Sequence, residues 1–243
     1  MRLTSVPGLK IAASISVALL LTGCGLGGLL PGASSSGGGP SGSGAAFNPS
    51  GDARRDLGDA LRKLKTAYPY RLTETYRLTG TVSGTANGQT AVPETKRVTE
   101  FAAPDRSHMK ITGGAGGDIE MINIGDKQYW YVDGKWVENA RPSAAERAKK
   151  GVEMEKFLAE ATKDVKYVGA EIVGGVPCHA YTYNIEMNLS GRNFAGTGKA
   201  WVGAADGLPH QIDSELSMKG YFTQKSHIVY EYNVPVKVEK PVP

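Results

Sequence analysis

From Tyr70 onward, glycine and proline turn signals cut the chain into short stretches rich in Tyr, Thr, Val and Ile, and this punctuation constrains the fold more than any other feature. Tyr70–Val82 ends at Ser83-Gly84, with Asn87-Gly88 as the next turn signal. Thr95–Ala102 closes at Ala103-Pro104-Asp105, and Arg106–Thr112 runs into a glycine loop over residues 113–117. Asp118–Ile124, Lys127–Val132 and Lys135–Val137 are separated only by Gly125-Asp126 and Asp133-Gly134. Further on come Val165–Val173, His179–Asn188, Gly196–Val202, Pro209–Met218 and Tyr221–Tyr232, divided by Gly174-Gly175, residues 203–207 and Lys219-Gly220. Turns this tight cannot hold a crossover helix, so consecutive strands pair antiparallel.

Two helices interrupt the strands. Ala53, Leu57, Ala60, Leu61, Leu64 and Tyr68 fall on one helical face, with Asp52 placed to cap its start and Pro69 to end it. A second helix starts near Ser143, where Ser143 and Glu146 stand at capping-box spacing. Met154, Phe157, Leu158, Ala161 and Val165 mark its apolar face, and Gly151 is a point at which it could divide. The class is therefore α+β: one large curved antiparallel sheet with helices on one side. Asp118–Ile124 is apolar in both alternating sets, Ile119 and Met121 against Ile122 and Ile124, so both of its faces need cover or a cavity.

The first fifty residues belong to another regime. Arg2 and Lys10 flank the start of an uncharged apolar run, Ile11 to Leu21, which is short of the roughly 20 residues a membrane span requires. It ends in Leu21-Thr22-Gly23-Cys24, which resembles the lipobox of bacterial lipoproteins. The resemblance implies a signal peptide over residues 1–23, cleavage behind Gly23, and a diacylglyceryl thioether and further acylation on Cys24. Residues 24–51 then read as the lipidated cysteine and a flexible Gly/Ser-rich tether, because such a composition cannot bury enough apolar surface to offset its ordering entropy. About 26 residues of this kind span roughly 25–30 Å. Two or three acyl chains, at about 0.8 kcal/mol per buried methylene, would hold a soluble domain at a membrane. Residues 52–243 form the folded domain. The chain is thus expected to be exported and lipid-anchored: at the periplasmic face of an outer membrane if there is one, as Gly25 rather than Asp behind the cysteine implies, and otherwise at the outer face of the cell membrane.

Several local phrases within residues 52–243 resemble a known group of proteins. Pro104-Asp105-Arg106 opens a strand; Ile124-Gly125-Asp126 with Tyr129 and then Gly134-Lys135-Trp136 form a hairpin; Gly169, Glu171, Val173, Gly174, Cys178 and Tyr181 mark a strand pair. Trp201-Val202 with Gly207-Leu208-Pro209, and Tyr230, Tyr232, Asn233, Pro235 and Val236, complete the set. The pattern resembles the LolA/LolB-like lipoprotein carriers and the related LppX/LprG-type lipid-binding lipoproteins, although Gly203-Ala204-Ala205-Asp206 departs from the usual Asp-x-x-Thr. The resemblance implies an incomplete antiparallel β-barrel closed by helices over an apolar cavity that accepts acyl chains. Candidate lining residues are Met109, Ile111, Met121, Tyr129, Met154, Phe157, Leu158, Met187, Trp201, Leu216 and Met218, the adaptable methionines suiting varied chains.

Composition and motifs exclude other chemistry. Removal of Arg2 and Lys10 with the leader leaves 26 basic against 24 acidic side chains, without the basic excess that nucleic-acid binding needs. His108, His179, His210 and His227 are scattered singly, so no metal site is expected. Ser107 and Lys110 stand at SxxK spacing, but in a strand and not at a helix start. The glycines at 113–117 precede no helix that could cradle phosphate. Cys178 reads as a buried small hydrophobe, with a reactive thiol beside His179 as the other option. The expected function is therefore lipid binding or carriage without covalent chemistry and without a cofactor. The alternative is an envelope interaction or sensor module that uses the same fold with a protein partner and no lipid.

Overall fold

The computed structural model describes residues 46–80, 94–114, 117–189 and 191–241. The expectations placed on the leader, on Cys24 and on the glycine-serine segment to residue 45 lie outside the described residues. Helix α1 (Ala53–Lys63) begins on Asp52, whose carboxylate accepts the Arg55 N–H at 3.0 Å. Asp56 in its first turn and Arg62 and Lys63 in its last oppose the helix dipole. Six strands follow: β1 (Tyr70–Gly80), β2 (Thr95–Ala103), β3 (Arg106–Thr112), β4 (Ile119–Ile124), β5 (Lys127–Val132) and β6 (Lys135–Ala140). Helix α2 (Ala144–Ala161) opens on a complete capping box, with Ser143 Oγ accepting the Glu146 N–H and the Glu146 carboxylate accepting the Ser143 N–H. Five strands close the domain: β7 (Thr162–Val173), β8 (Val176–Leu189), β9 (Arg192–Gly203), β10 (Pro209–Met218) and β11 (Phe222–Tyr232).

All eleven strands form one antiparallel sheet in the order β6-β5-β4-β3-β2-β1-β11-β10-β9-β8-β7. The first and last strands pair in its middle, Leu72 opposite Tyr230 and Glu74 opposite Ile228. The two edges, β6 and β7, never meet; α2 carries the chain from one to the other. The sheet is an unclosed barrel, as the α+β reading required. Both edges are defended against pairing with other chains. β6 carries Lys135 and Glu138, and β7 is bulged twice, where Asp164 and Gly169 adopt positive φ.

Period-two alternation sorts the side chains. On the face that bears the helices, Leu72, Tyr181, Ile212 and Ile228 are buried beneath Leu57 and Ala60 of α1, Leu64 just after it and Ala161 of α2. On the opposite face, Ile122 and Tyr129 pack against Val236 and Val238 from the segment after β11. That segment supplies the second cover that the two-sided apolar pattern of β4 demanded.

Of the differences from the sequence reading, three bear on how the helices pack. Residues 46–51, which the sequence reading gave to the tether, make contacts with the domain. The Phe47 N–H donates to the Ala204 carbonyl at 2.7 Å, its own carbonyl bonds His179 Nε2 at 3.0 Å, and Ser50 donates twice to the buried carboxylate of Asp56. Gly151 does not divide α2 but lies buried in its interior. Val165, in phase with the helical stripe, belongs to β7, because α2 stops at Ala161, where the Thr162 side chain caps the Leu158 carbonyl at 2.8 Å.

Candidate functional site

Helices α1 and α2 lie side by side on the sheet, and the space between them is a groove of about 390 Å³. Its floor is Leu57 and Leu61 from α1, Leu64 from the turn after it, Met154 and Leu158 from α2, and Val165 from β7. Each helix presents one amphipathic face, and the two stripes converge here because β7, which follows α2 in the chain, lies against both helices. The ends are pinned by two polar contacts. Arg54 donates to the carbonyls of Ala159 and Thr162, at 2.7 Å to the latter, and Lys65 pairs with Glu155 at 2.8 Å. Arg55, Gly58 and Arg62 line the same rim. The volume falls within the roughly 300–1,000 Å³ of ordinary ligand pockets, and the floor is the kind of surface that a hydrocarbon chain covers favourably.

A larger hollow, about 560 Å³, runs along β7–β11, lined by Lys166, Lys199, Asp213, Glu215 and Lys225 among others. Its charges are largely paired, Lys225 with Glu215 at 3.1 Å and Lys199 with Glu171 at 2.8 Å. It offers polar backbone and charge rather than an apolar floor, so the smaller groove is the better hydrocarbon site.

The residues proposed as cavity lining fall in four places. Met154 and Leu158 line the groove, while Phe157, one position away, packs on the core. Met187, Leu216 and Met218 are buried in the main core. Met109, Ile111 and Met121 are half-buried and cross-paired on the helix-bearing face of β3 and β4, Met109 directly opposite Met121. Tyr129 and Trp201 do not join any of these. Strand alternation puts Tyr129 opposite Ile122 on the other face, and Trp201 opposite Ala180, with its indole N–H donating to Glu171 at 2.7 Å and Lys199 over its ring. These two lie on the sheet face away from the groove, because a large aromatic in a strand need not share the face of its neighbours.

The sequence reading missed the α1 half of the groove, and it missed Trp130, which pairs with Met121 and therefore continues the half-buried row. Trp130 donates from its indole to Gln128 at 2.7 Å, Gln128 donates to Asn123, and Asn123 to Ser107, so this row is bordered by a polar chain. Alternation along Lys127–Val132, read against Met121, was the available signal. Cys178 is buried beside Ala180 and Trp201; burial, with Asp206 nearby, pushes its thiol up to about 11, away from the reactive thiolate. Among the described residues no helix is long and apolar enough to cross a membrane.

An open antiparallel sheet carrying two helices on one face is an incomplete barrel, a fold shared with the lipoprotein LppX. Among solved structures, the chain is similar to the lipoprotein LppX of Mycobacterium tuberculosis, with a TM-score of 0.50 and 14% identity over 79% of this chain and 100% of that one. LprF of Mycobacterium bovis aligns with a TM-score of 0.47 and 11% identity, over 81% of this chain and all of that one. The MucA/MucB complex of Pseudomonas aeruginosa aligns with a TM-score of 0.38 and 12% identity, over 75% of this chain and 59% of that one. Neither a family model nor a curated protein matches the chain.

Proposed function

We propose that this protein is an exported, membrane-tethered lipoprotein that holds an acyl chain in the groove between α1 and α2 and performs no covalent chemistry. The observation that carries the reading is the apolar floor of that groove, in which Leu61, Met154, Leu158 and Val165 stay only half-buried between the two helices, over the buried Leu57 and Leu64. Each methylene removed from water there contributes about 0.8 kcal/mol, so even a partly inserted chain outweighs the ordering of its bonds. Transfer then follows from differences in affinity between donor and acceptor.

The domain lacking its leader and tether is expected to take up a fluorescent long-chain fatty acid, read as a rise in emission on titration. Met154→Trp fills the groove from the α2 side and is expected to lower that uptake by at least about tenfold, with a change in stability within about 1 kcal/mol. A domain that never takes up the probe, and that crosslinks in cells to one stoichiometric protein, supports the interaction-module reading instead. For the anchor, Cys24→Ala is expected to move the protein from the membrane to the soluble fraction and to abolish labelling by an alkynyl palmitate. Labelling that persists in this variant removes the lipobox reading.

A further inference from the structure

The rim of the α1–α2 groove is built for charge as well as for hydrocarbon. Four cations of α1 and the turn after it, Arg54, Arg55, Arg62 and Lys65, line it, against Asp52 and Glu155. They are not equivalent. Arg54 is spent on the C-terminal carbonyls of α2, and Lys65 on Glu155. The Arg55 side chain is exposed and makes no hydrogen bond or ion pair among the described residues. Arg62 is held only by Asp59, one turn back on the same helix, with both side chains about half exposed. Such a surface pair is worth little and gives way readily to a better anion.

Gly58 stands between these two arginines, at the centre of an eleven-residue helix. There it costs about 1 kcal/mol relative to alanine, and its φ is not one that calls for glycine. What the missing side chain leaves is room: a Cβ at this position would lie 3.4 Å from Arg62 Nη1. The guanidinium of Arg62 therefore lies back over Gly58, within contact distance of where a Cβ would stand, and both residues line the groove.

We infer that the groove selects amphiphiles with an anionic head, a carboxylate or phosphate bound by Arg55 and Arg62 while the chain lies on Leu61, Met154 and Leu158. This inference rests on the acyl-chain reading given above and narrows it. Arg55 and Arg62 stand two helical turns apart on the same rim, each guanidinium suits either oxyanion, and a chain leaving that head runs onto the floor without burying the charge.

The test uses one hydrocarbon with and without charge: a fluorescent long-chain fatty acid and its methyl ester, titrated into the domain at about pH 8, where the acid is ionised. The acid is expected to bind about tenfold tighter than the ester. Arg55→Glu with Arg62→Glu is expected to bring the acid down to the level of the ester, and Arg55→Lys with Arg62→Lys to keep most of the preference. Inorganic phosphate, compared with chloride at equal ionic strength, is expected not to displace the acid. Equal binding of acid and ester by the parent protein overturns the inference while leaving the acyl-chain reading intact. So does a preference that survives charge reversal, and displacement by phosphate alone would make the rim a free-anion site. Failure to bind either probe removes both readings together.

Discussion

Arg97→Met is expected to cost about 3–5 kcal/mol of folding stability at neutral pH, because it leaves a carboxylate buried without its cation. Glu74 and Arg97 face each other across the β1–β2 ladder, 2.6 Å apart, and are 0% and 2% exposed. Thr95, Thr99, Gln224 and Ser226 are buried around them, so the middle of the helix-bearing face is a polar island within an apolar sheet. Burial raises the Glu74 carboxyl above its usual 4.5, while Arg97 and a hydrogen bond from Ser226 pull it back down. The sign follows from linkage. A carboxyl raised in the folded state contributes stability that is fully present below 4.5 and is lost as pH rises through its folded value. Removal of Arg97 takes away the opposing pull, so the loss with rising pH becomes steeper and the cost of Arg97→Met shrinks on acidification. Urea midpoints of the parent and the variant across that range measure both effects. Glu74→Leu combined with Arg97→Met is expected to recover most of the loss, since two apolar side chains need no partner. A cost below about 1 kcal/mol for Arg97→Met at neutral pH would mean that water reaches the pair.

The same pair illustrates what a sequence of this kind discloses. Local signals placed the elements well. Arg106–Thr112, Lys127–Val132 and Pro209–Met218 have the bounds that turn punctuation predicted, and Asp52, Ser143 and Glu146 cap the helices as their side chains dictate. These are interactions over two to four residues, and they are written in consecutive positions. Glu74 was not singled out in the sequence, although the signal is local: it interrupts the inward phase Leu72, Tyr76, Leu78, and a charge in that phase implies a buried partner.

Long-range consequences were not legible. Nothing near Arg54 announces the carbonyls of Ala159 and Thr162 more than a hundred residues away, so the α1 wall of the groove could not be read. The end of α2 was misplaced because Val165 continues the 3.6-residue period, although pairing with β8 claims it for the sheet. Tyr129 and Trp201 were assigned by size and hydrophobicity, whereas the parity of their strands decides their face. The docking of Phe47 was hidden by the glycine-rich composition that precedes it; its aromatic contact with His179 and the cation of Lys63 over its ring both come from distant segments.

Phe194→Ala carries the other large expected effect, about 3–5 kcal/mol, and it decides what the neighbouring methionines are for. Phe194 is 2% exposed at the start of β9 and lies between Met187 of β8 and Met218 of β10 in the cross-strand register. Its ring meets that of Phe222 edge-on, with centroids 6.2 Å apart. If Met187 and Met218 are packed core, deletion of the ring leaves a void that stiff strands on both sides cannot close, and the full transfer and cavity costs are paid. If instead they line a space that opens for a ligand, the methionines already tolerate a gap there, and the loss falls to about 1 kcal/mol or less. Phe194→Leu, which keeps most of the volume, is expected to cost well under half as much as the alanine variant. Chemical denaturation of the three proteins separates the cases, and acyl-probe binding separates them again. A packed core leaves uptake by the α1–α2 groove intact in Phe194→Leu, whereas a ligand space under β8–β10 would change affinity in step with the volume removed. The burial of Met187, Leu216 and Met218 in one continuous cluster with Leu72 and Tyr181 favours the first outcome, and leaves the groove between the helices as the site for the proposed acyl chain.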